Sequence, residues 1–599
     1  MPRTIKNPIC IYRLVLGVLV LSILCLYSLD RTRLGQSIPD EKRYIQSTKE
    51  MVEGGDYVTP RYHGKLRFQK PILFYWLIIL SYKIFGITIY GARFPSIVAS
   101  IVNVILIYSI ARLFFNKKAG FFAAAVLSTC EVFFMYARFA SPDMVFLMFI
   151  TAAMYFFGLA YLDVIKGRFK YLYMYACMAL AMITKGPLGL IYPMATISIF
   201  FIVRKELGRL KEINLLPGLV LFTVISAPWF LVMLSLYGNE YFDNVWTLEI
   251  VKKMKYFTSG QETNLIHHYL KTFFYYIGMS FARHLPWSIF LPASFAAMPI
   301  TRRNEQWAKG LRLIASWFVA VFIILILIWS KESYYVLGLS VPIALFLGMY
   351  LSVLTENDNL YRSILLKIPF LFIAISLVIT IVLCMAVLYF VFNDAYTWFS
   401  AALLLVPFFM IYSYRKRKAL IPVALFISAT ISFGYAFGYA MPRFGVDPIV
   451  NIAERLKDEV GPADDIASGS NSISSHRLNT VFDDYNVTRA DRYYYNKKGN
   501  KIYSRDKKKL LRRFLTQKDK RVFLFITKED YDINVEPDVK TLIDISATTY
   551  VWKRLHKEDV KYFNGLLTLL LKGEIDDFRR ALKEEAYLVT NTPISINIP

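Results

Sequence analysis

The chain has 599 residues, 56% of them hydrophobic and 16% aromatic, which is too apolar over such a length for a soluble protein. Apolar stretches of about twenty residues recur from Leu14 to Ala440, the pattern of a polytopic α-helical membrane protein. The net charge of +26 does not point to nucleic acid, because much of the Lys and Arg falls in short loops between hydrophobic segments, where an anionic inner leaflet attracts it.

Arg3, Lys6 and Arg13 precede the first apolar run, and no clear cleavage site comes before Asp30. That reads as an uncleaved signal anchor that starts in the cytoplasm. Hydropathy predicts spans at 11–29, 94–115, 119–137, 143–162, 171–183, 187–203, 215–236, 285–299, 311–329, 334–354, 366–392, 395–413 and 419–439, about thirteen in all. The apolar segment 72–86 is only about fifteen residues long, so it lies along the interface or packs inside the protein. With the N-terminus inside, the loops 116–118, 163–170, 204–212, 300–310, 355–365 and 415–418 are cytoplasmic, and nearly all are rich in Lys and Arg. The opposite face receives 30–93, 138–143, 184–186, 237–284, 330–332 and everything after Met441.

Residues 441–599 are also basic and read as a separate soluble α/β domain. A helix is expected at 448–459, buried strands at 522–526 and 541–545, and a further helix from about 563 to 585. The five cysteines lie in or beside apolar segments without a CxxC pair, so neither a disulfide framework nor a zinc-thiolate site is expected. No Walker A, GxGxxG or HExxH motif occurs.

The charges that are hard to explain as topology signals gather on the outer face. They are Asp40, Glu41, Arg43, Lys70, Arg93, Arg138, Asp143, Lys185, Glu249, Arg283 and Lys331. Ionisable groups at a membrane boundary are expensive to desolvate and mark a site. Asp40 and Glu41 follow Pro39 and suit a helix start, where their carboxylates complement the free N–H groups. A carboxylate held there can also serve as general base toward a hydroxyl acceptor. Lys70, before Pro71, is either a snorkelling lysine or an ammonium for a lipid phosphate. Arg43, Arg61 and Arg67 could join the same anion pocket, Arg67 being the most dispensable. Arg138 and Asp143 flank Ser141-Pro142 at another helix start, and Lys185 and Lys331 sit in turns at outer helix ends. Tyr334 and Tyr335 follow the second of these turns, as aromatic-belt residues do. Four of the six histidines lie in the two large outer loops, which leaves a divalent metal open, with His63, His267 and His268 as weak candidate ligands.

The order Asp40-Glu41-Lys42-Arg43-Tyr44, Gly55-Asp56-Tyr57-Val58-Thr59-Pro60-Arg61, then Phe68-Gln69-Lys70-Pro71 with Tyr75-Trp76 resembles the bacterial lipid A aminoarabinose (4-amino-4-deoxy-L-arabinose) transferases. Those enzymes belong to the protein O-mannosyltransferase-like, GT-C class of membrane glycosyltransferases. The resemblance continues through Gly91-Ala92-Arg93, Ser141-Pro142-Asp143, Thr184-Lys185-Gly186, Ala227-Pro228-Trp229, Leu285-Pro286-Trp287 and Ser330-Lys331 with Tyr335 and Pro342.

The resemblance implies a GT-C transferase domain over 1–440, with 30–93 as its first periplasmic loop, and a periplasmic soluble domain over 441–599. It implies an inner-membrane enzyme that consumes an undecaprenyl (polyprenyl) phosphate-linked sugar at the periplasmic face, with inversion at the anomeric carbon. The partners are then that donor, membrane lipids and a lipid or glycan acceptor, lipid A foremost, and no nucleic acid. By the same resemblance Asp40 matches the essential loop aspartate, Lys70 the lysine that contacts the carrier phosphate, and Arg43 a matching arginine. Asp143 and Tyr335 match further active-site positions. One departure stands out. The glutamate that helps hold a metal in the aminoarabinose enzymes is Gln69 here, and a neutral amide is a poor replacement ligand. The alternatives are a protein Ser/Thr or another surface glycan as acceptor, or a non-enzymatic lipid-linked sugar transporter, which predicts polar residues on both faces.

Overall fold

The computed structural model describes residues 39–243, residues 265–354 except 286, 296, 297, 302, 303, 329 and 330, and seven strands between 465 and 590. Contacts divide the chain into two compact units, the second formed mainly by residues 436–599.

The first unit is helical. Helix α1 (Pro39–Gly54) opens on a proline, which loses no helical hydrogen bond there, and carries Asp40 and Glu41 in its first turn, where they complement the dipole. Its buried side chains include Glu41, Tyr44, Ile45, Thr48 and Met51, one face at helical spacing. Gly55 then turns the chain at φ +68. The Asp56 carboxylate accepts the N–H groups of Val58 and Thr59, each at 3.0 Å. A two-residue turn follows, with His63 and Gly64 both at positive φ, between strands β1 (Arg61–Tyr62) and β2 (Lys65–Leu66). Glu50 of α1 fixes the tip by accepting the N–H of His63 at 2.7 Å and of Gly64 at 3.1 Å. Two indoles hold the descending strand of this loop: Trp76 Nε1 donates to Tyr57 O at 2.8 Å, and Trp229 Nε1 to Val58 O at 3.0 Å.

Helices α2 (Leu73–Phe85), α3 (Ile89–Phe114), α4 (Lys117–Thr129), α5 (Glu131–Tyr136), α6 (Pro142–Tyr161), α7 (Leu172–Lys185), α8 (Leu188–Arg204), α9 (Leu215–Asp243), α10 (Leu265–Arg283), α11 (Glu305–Leu327) and α12 (Ser340–Leu354) follow. Among the described residues five helical stretches are long and apolar enough to cross a membrane: Ile89–Phe114, Pro142–Tyr161, Leu215–Asp243, Glu305–Leu327 and Ser333–Leu354. The chain is an integral membrane protein.

In this unit three expectations change. The span expected at 119–137 is two helices, because the backbone is extended at Cys130 (φ −79, ψ 142). The span expected at 285–299 is not one helix: a 3₁₀ turn at Trp287–Phe290 and one-turn pieces at Leu291–Ser294 and Met298–Thr301 stand there, as Pro286, Pro292 and Pro299 interrupt the run. The loop expected at 237–284 contains helix α10 instead. The spans expected at 11–29, 366–392, 395–413 and 419–439 lie outside the described residues, as does the helix expected at 448–459.

Small residues let the helices approach closely. A Cβ added to Gly348 of α12 would meet the Cβ of Ala123 on α4 at 2.6 Å. Ala119, Ala123, Ala124 and Ala125 of α4 are all buried.

In the second unit a five-stranded sheet has the order β4 (Thr488–Arg489), β3 (Asp465–Ser468), β7 (Val522–Thr527), β9 (Lys583–Thr590), β8 (Leu542–Tyr550). β3 runs parallel to β4 and β7, and β9 antiparallel to β7 and β8. A separate hairpin pairs β5 (Tyr493–Tyr495) with β6 (Lys501–Tyr503). Ile466 and Leu524 are buried in the sheet. The strands expected at 522–526 and 541–545 are present, residues 583–585, expected to end a helix, are strand instead, and the rest of that expected helix lies outside the described residues.

Candidate active site

The start of α1 carries two carboxylates with opposite environments. Asp40 is half-exposed and accepts from Arg43 Nη1 at 2.9 Å, one helical turn on. Glu41 points inward and is fully buried. Arg93 of α3 grips both its oxygens, Nε to Oε1 at 2.7 Å and Nη2 to Oε2 at 3.0 Å. The N–H of Ala140 donates to Oε1 as well, at 2.9 Å. Glu41 thus ties α1 to α3 and to the segment that leads into α6.

That segment ends in Ser141-Pro142-Asp143. Ser141 caps α6, and its hydroxyl bonds the Asp143 carboxylate, whose other oxygen accepts from Lys185 at the end of α7. The Lys185 ammonium also faces three rings, Phe146 at 5.5 Å and Tyr334 and Tyr335 at 5.7 Å each. Tyr334 stacks on Tyr136 of α5 at 5.4 Å and meets Tyr335 edge-on at 4.8 Å. The same wall is braced by Arg283 of α10, which reaches Glu131 at 2.5 Å and Ser333 at 3.3 Å.

Electrostatic neighbours link these pieces. Asp40 and Asp143 are both within reach of Tyr44, Tyr136 and Tyr334. Lys70 is within reach of Asp143. The structure therefore brings together Asp40, Lys70, Asp143 and Tyr335, with Lys185 added to the set. Arg43 stays at the half-exposed entrance beside Asp40. Arg138 is buried, its guanidinium over the Phe134 ring at 5.2 Å. Arg61 is half-buried in the hairpin, and Lys331 is half-buried ahead of Tyr334.

Arg67, ranked least useful from sequence, is the surprise. It is 6% exposed, and its guanidinium lies 5.0 Å from the ring centre of Tyr44. The burial of a β2-adjacent arginine between a helix and a hairpin leaves no mark on sequence periodicity. Lys185 carried a weak signal, the Thr184-Lys185-Gly186-Pro187 turn at a helix end.

The metal candidates do not assemble. Gln69 and His63 are exposed, His63 on the hairpin tip. His267 is exposed while its neighbour His268 is buried in α10, so the two point different ways. Among the described residues no group of three or more His, Cys, Asp or Glu could hold a metal ion.

A family model described as dolichyl-phosphate-mannose-protein mannosyltransferase matches residues 69–231. A protein of Aquifex aeolicus is 28% identical over 410 residues, 68% of this chain and 74% of that one. An undecaprenyl phosphate-alpha-4-amino-4-deoxy-L-arabinose arabinosyl transferase 2 of Pseudomonas fluorescens is 28% identical over 63% of this chain and 62% of its own length. A transferase 1 of the same species is 27% identical over 55% of this chain and 56% of its own length. The match thus spans less than two thirds of these named transferases. In three dimensions, ArnT from Cupriavidus metallidurans in the apo state covers 96% of this chain and 97% of its own, with TM-score 0.64 and 17% identity. Its crystal structure bound to undecaprenyl phosphate covers 96% and 98%, with TM-score 0.65 and 16% identity.

The fold is that of the GT-C membrane glycosyltransferases. In sequence the chain is similar to the undecaprenyl-phosphate aminoarabinose transferases, and in fold to ArnT.

Proposed function

We propose that the chain is an inverting glycosyltransferase that draws its sugar from a polyprenyl-phosphate carrier, with lipid A as acceptor at the periplasmic face of the inner membrane. The relatives named as undecaprenyl-phosphate arabinosyl transferases support the donor class, and the acceptor follows from the resemblance of the first-loop motifs. The observation that carries the chemistry is the convergence of Asp40, Lys70 and the Asp143–Lys185 pair around one wall of tyrosines.

In this reading the Lys70 ammonium neutralises the carrier phosphate as the C1–O bond breaks and polyprenyl phosphate departs. The acceptor oxygen attacks C1 from the opposite side and passes its proton to Asp40. Arg43 orients Asp40, and Arg61 and Lys331 add positive charge at the rim. Glu41 acts through position alone, since its oxygens are held by Arg93 and Ala140. Arg138 packs the turn into α6, and Tyr335 with Lys185 forms the far wall. Residues 1–440 make up the transferase and 441–599 a periplasmic soluble domain of separate role.

A protein acceptor is the second reading, favoured by the mannosyltransferase model over residues 69–231. The test is expression in a Gram-negative host that makes the undecaprenyl-phosphate aminoarabinose donor but lacks its own transferase. Mass spectrometry of lipid A should show the added sugar with the intact chain and lose it with Asp40→Asn. An unmodified lipid A alongside glycosylated membrane protein would instead establish the protein acceptor.

A further inference from the structure

We propose that Arg67, Tyr44 and Tyr75 form a buried oxyanion site, distinct from Lys70, that grips a phosphate oxygen of a lipid substrate. The proposal rests on the glycosyl-transfer reading and adds a second point of recognition to it.

Three donors carry the inference. Arg67 is 6% exposed, Tyr44 2% and Tyr75 0%. The Tyr44 and Tyr75 rings lie 5.0 Å apart, tilted by 45°. The Arg67 guanidinium sits over the first ring at 5.0 Å and beside the second residue. Among the described residues, Arg67 Nε and the Tyr44 hydroxyl have no hydrogen-bond partner, and the Tyr75 hydroxyl, beside the donor-only guanidinium, still has its proton to donate. Native proteins rarely leave buried donors without an acceptor, and here three unused N–H and O–H donors cluster around one spot.

The chemistry of the set selects the ligand. Arginine stays charged at any relevant pH and only donates. Burial pushes the Tyr44 hydroxyl well above its ordinary range, so it too remains a donor. A water molecule accepts two hydrogen bonds and brings no charge, so it satisfies neither the third donor nor the guanidinium. Asp40 is within electrostatic reach of all three residues, but it is committed to Arg43 through Oδ1. A phosphate oxygen supplies both the lone pairs and the charge, and a guanidinium with flanking hydroxyls suits it. The rings of Phe74 and Tyr75 hold Tyr44 in place from two sides, so the site is built before a ligand arrives.

Two lipids offer such an oxygen, the carrier and a phosphorylated acceptor. The experiment separates them with the full-length chain purified in detergent. Binding is measured to undecaprenyl phosphate against undecaprenol, and to lipid A against its dephosphorylated form. The preference for the phosphorylated member of each pair isolates the contribution of the phosphate. Tyr44→Phe and Tyr75→Phe keep the rings and remove only the hydroxyls. Each should cut that preference about fivefold for one pair, and Arg67→Gln by about tenfold or more. Arg67→Lys should fall between, since it keeps the charge and loses the fork. The affected pair names the source of the oxyanion. Unchanged preferences in tyrosine variants with wild-type melting temperatures would overturn the site and make the cluster mere packing, while sugar transfer by the wild type would leave the glycosyl-transfer reading standing. A wild-type chain that prefers neither phosphorylated lipid would sink both.

Discussion

Arg93 and Glu41 form a two-point ion pair in the protein interior, at 2.7 and 3.0 Å, with side chains 6% and 0% exposed. The carboxylate next to the proposed base is therefore a tether. It fixes the start of α1 against α3 and, through the Ala140 N–H, against the turn that delivers Asp143. Two adjacent acids sit in opposite settings: Asp40, the proposed base, is half-exposed, and Glu41 is spent on holding the start of α1 in place.

Removing one partner leaves a buried charge without compensation. Glu41→Gln or Arg93→Met should each destabilise the chain by about 3–5 kcal/mol. The double variant Glu41→Gln/Arg93→Met should lose much less than the sum of its singles, because no lone charge remains. Melting curves of the detergent-purified proteins check this. Additive losses would mean that the two side chains act independently.

Asp40→Asn should behave in the opposite way. Asp40 is half-exposed and holds only Arg43, so its loss should cost less than about 1 kcal/mol of stability through the helix start. Turnover should nevertheless fall by about 10²–10⁴-fold, the usual cost of losing a general base. Initial rates with saturating donor measure it. A rate that falls only with the folded fraction would assign Asp40 to capping.

The Asp143–Lys185 pair joins α6 to α7 under the tyrosine wall. Asp143→Asn should strand the ammonium among Phe146, Tyr334 and Tyr335. Lys185→Met should strand the carboxylate beside Ser141. Each should lower stability by about 3 kcal/mol, and the double variant should recover part of it. Thermal unfolding followed by near-ultraviolet circular dichroism reports on the tyrosines directly.

Much of this site was legible in the sequence as composition but not as geometry. Pro39-Asp40-Glu41 marked a helix start, and α1 begins there. Nothing in the sequence said which of the two acids faces in, since that depends on Arg93 arriving from 52 residues away. Arg67 looked expendable because one arginine after a two-residue hairpin has no period to betray its burial. Helix α10 was read as loop because His267, His268, Lys271 and Arg283 lower its hydropathy, although the run Phe273-Phe274-Tyr275-Tyr276-Ile277 is apolar all round the helix. The prolines at 286, 292 and 299 were visible, yet mean hydropathy outweighed them in the reading of 285–299.

At the opposite, Lys/Arg-rich end of the bundle, Glu206 gives a pH dependence with a definite sign. It accepts from Tyr161 OH at 2.8 Å and from Arg204 Nε and Nη2 at 3.0 and 2.6 Å. Burial alone works against its charge, but the Tyr161 and Arg204 bonds outweigh that and hold its carboxyl below the ordinary value of 4.5. A carboxylate whose folded value is depressed adds stability that is complete above the unfolded value and lost as pH falls toward the folded one. Glu206→Gln should therefore cost about 1 kcal/mol at neutral pH, given its partial exposure. The difference from wild type should shrink as pH drops below about 4.5 and vanish once the wild-type carboxyl is protonated. Melting temperatures of both proteins across pH 3 to 8, with the pH steps set at about half a unit, would show the two curves converging on the acid side. Curves that stay parallel to the lowest pH would mean that Glu206 acts through packing and that its charge contributes nothing.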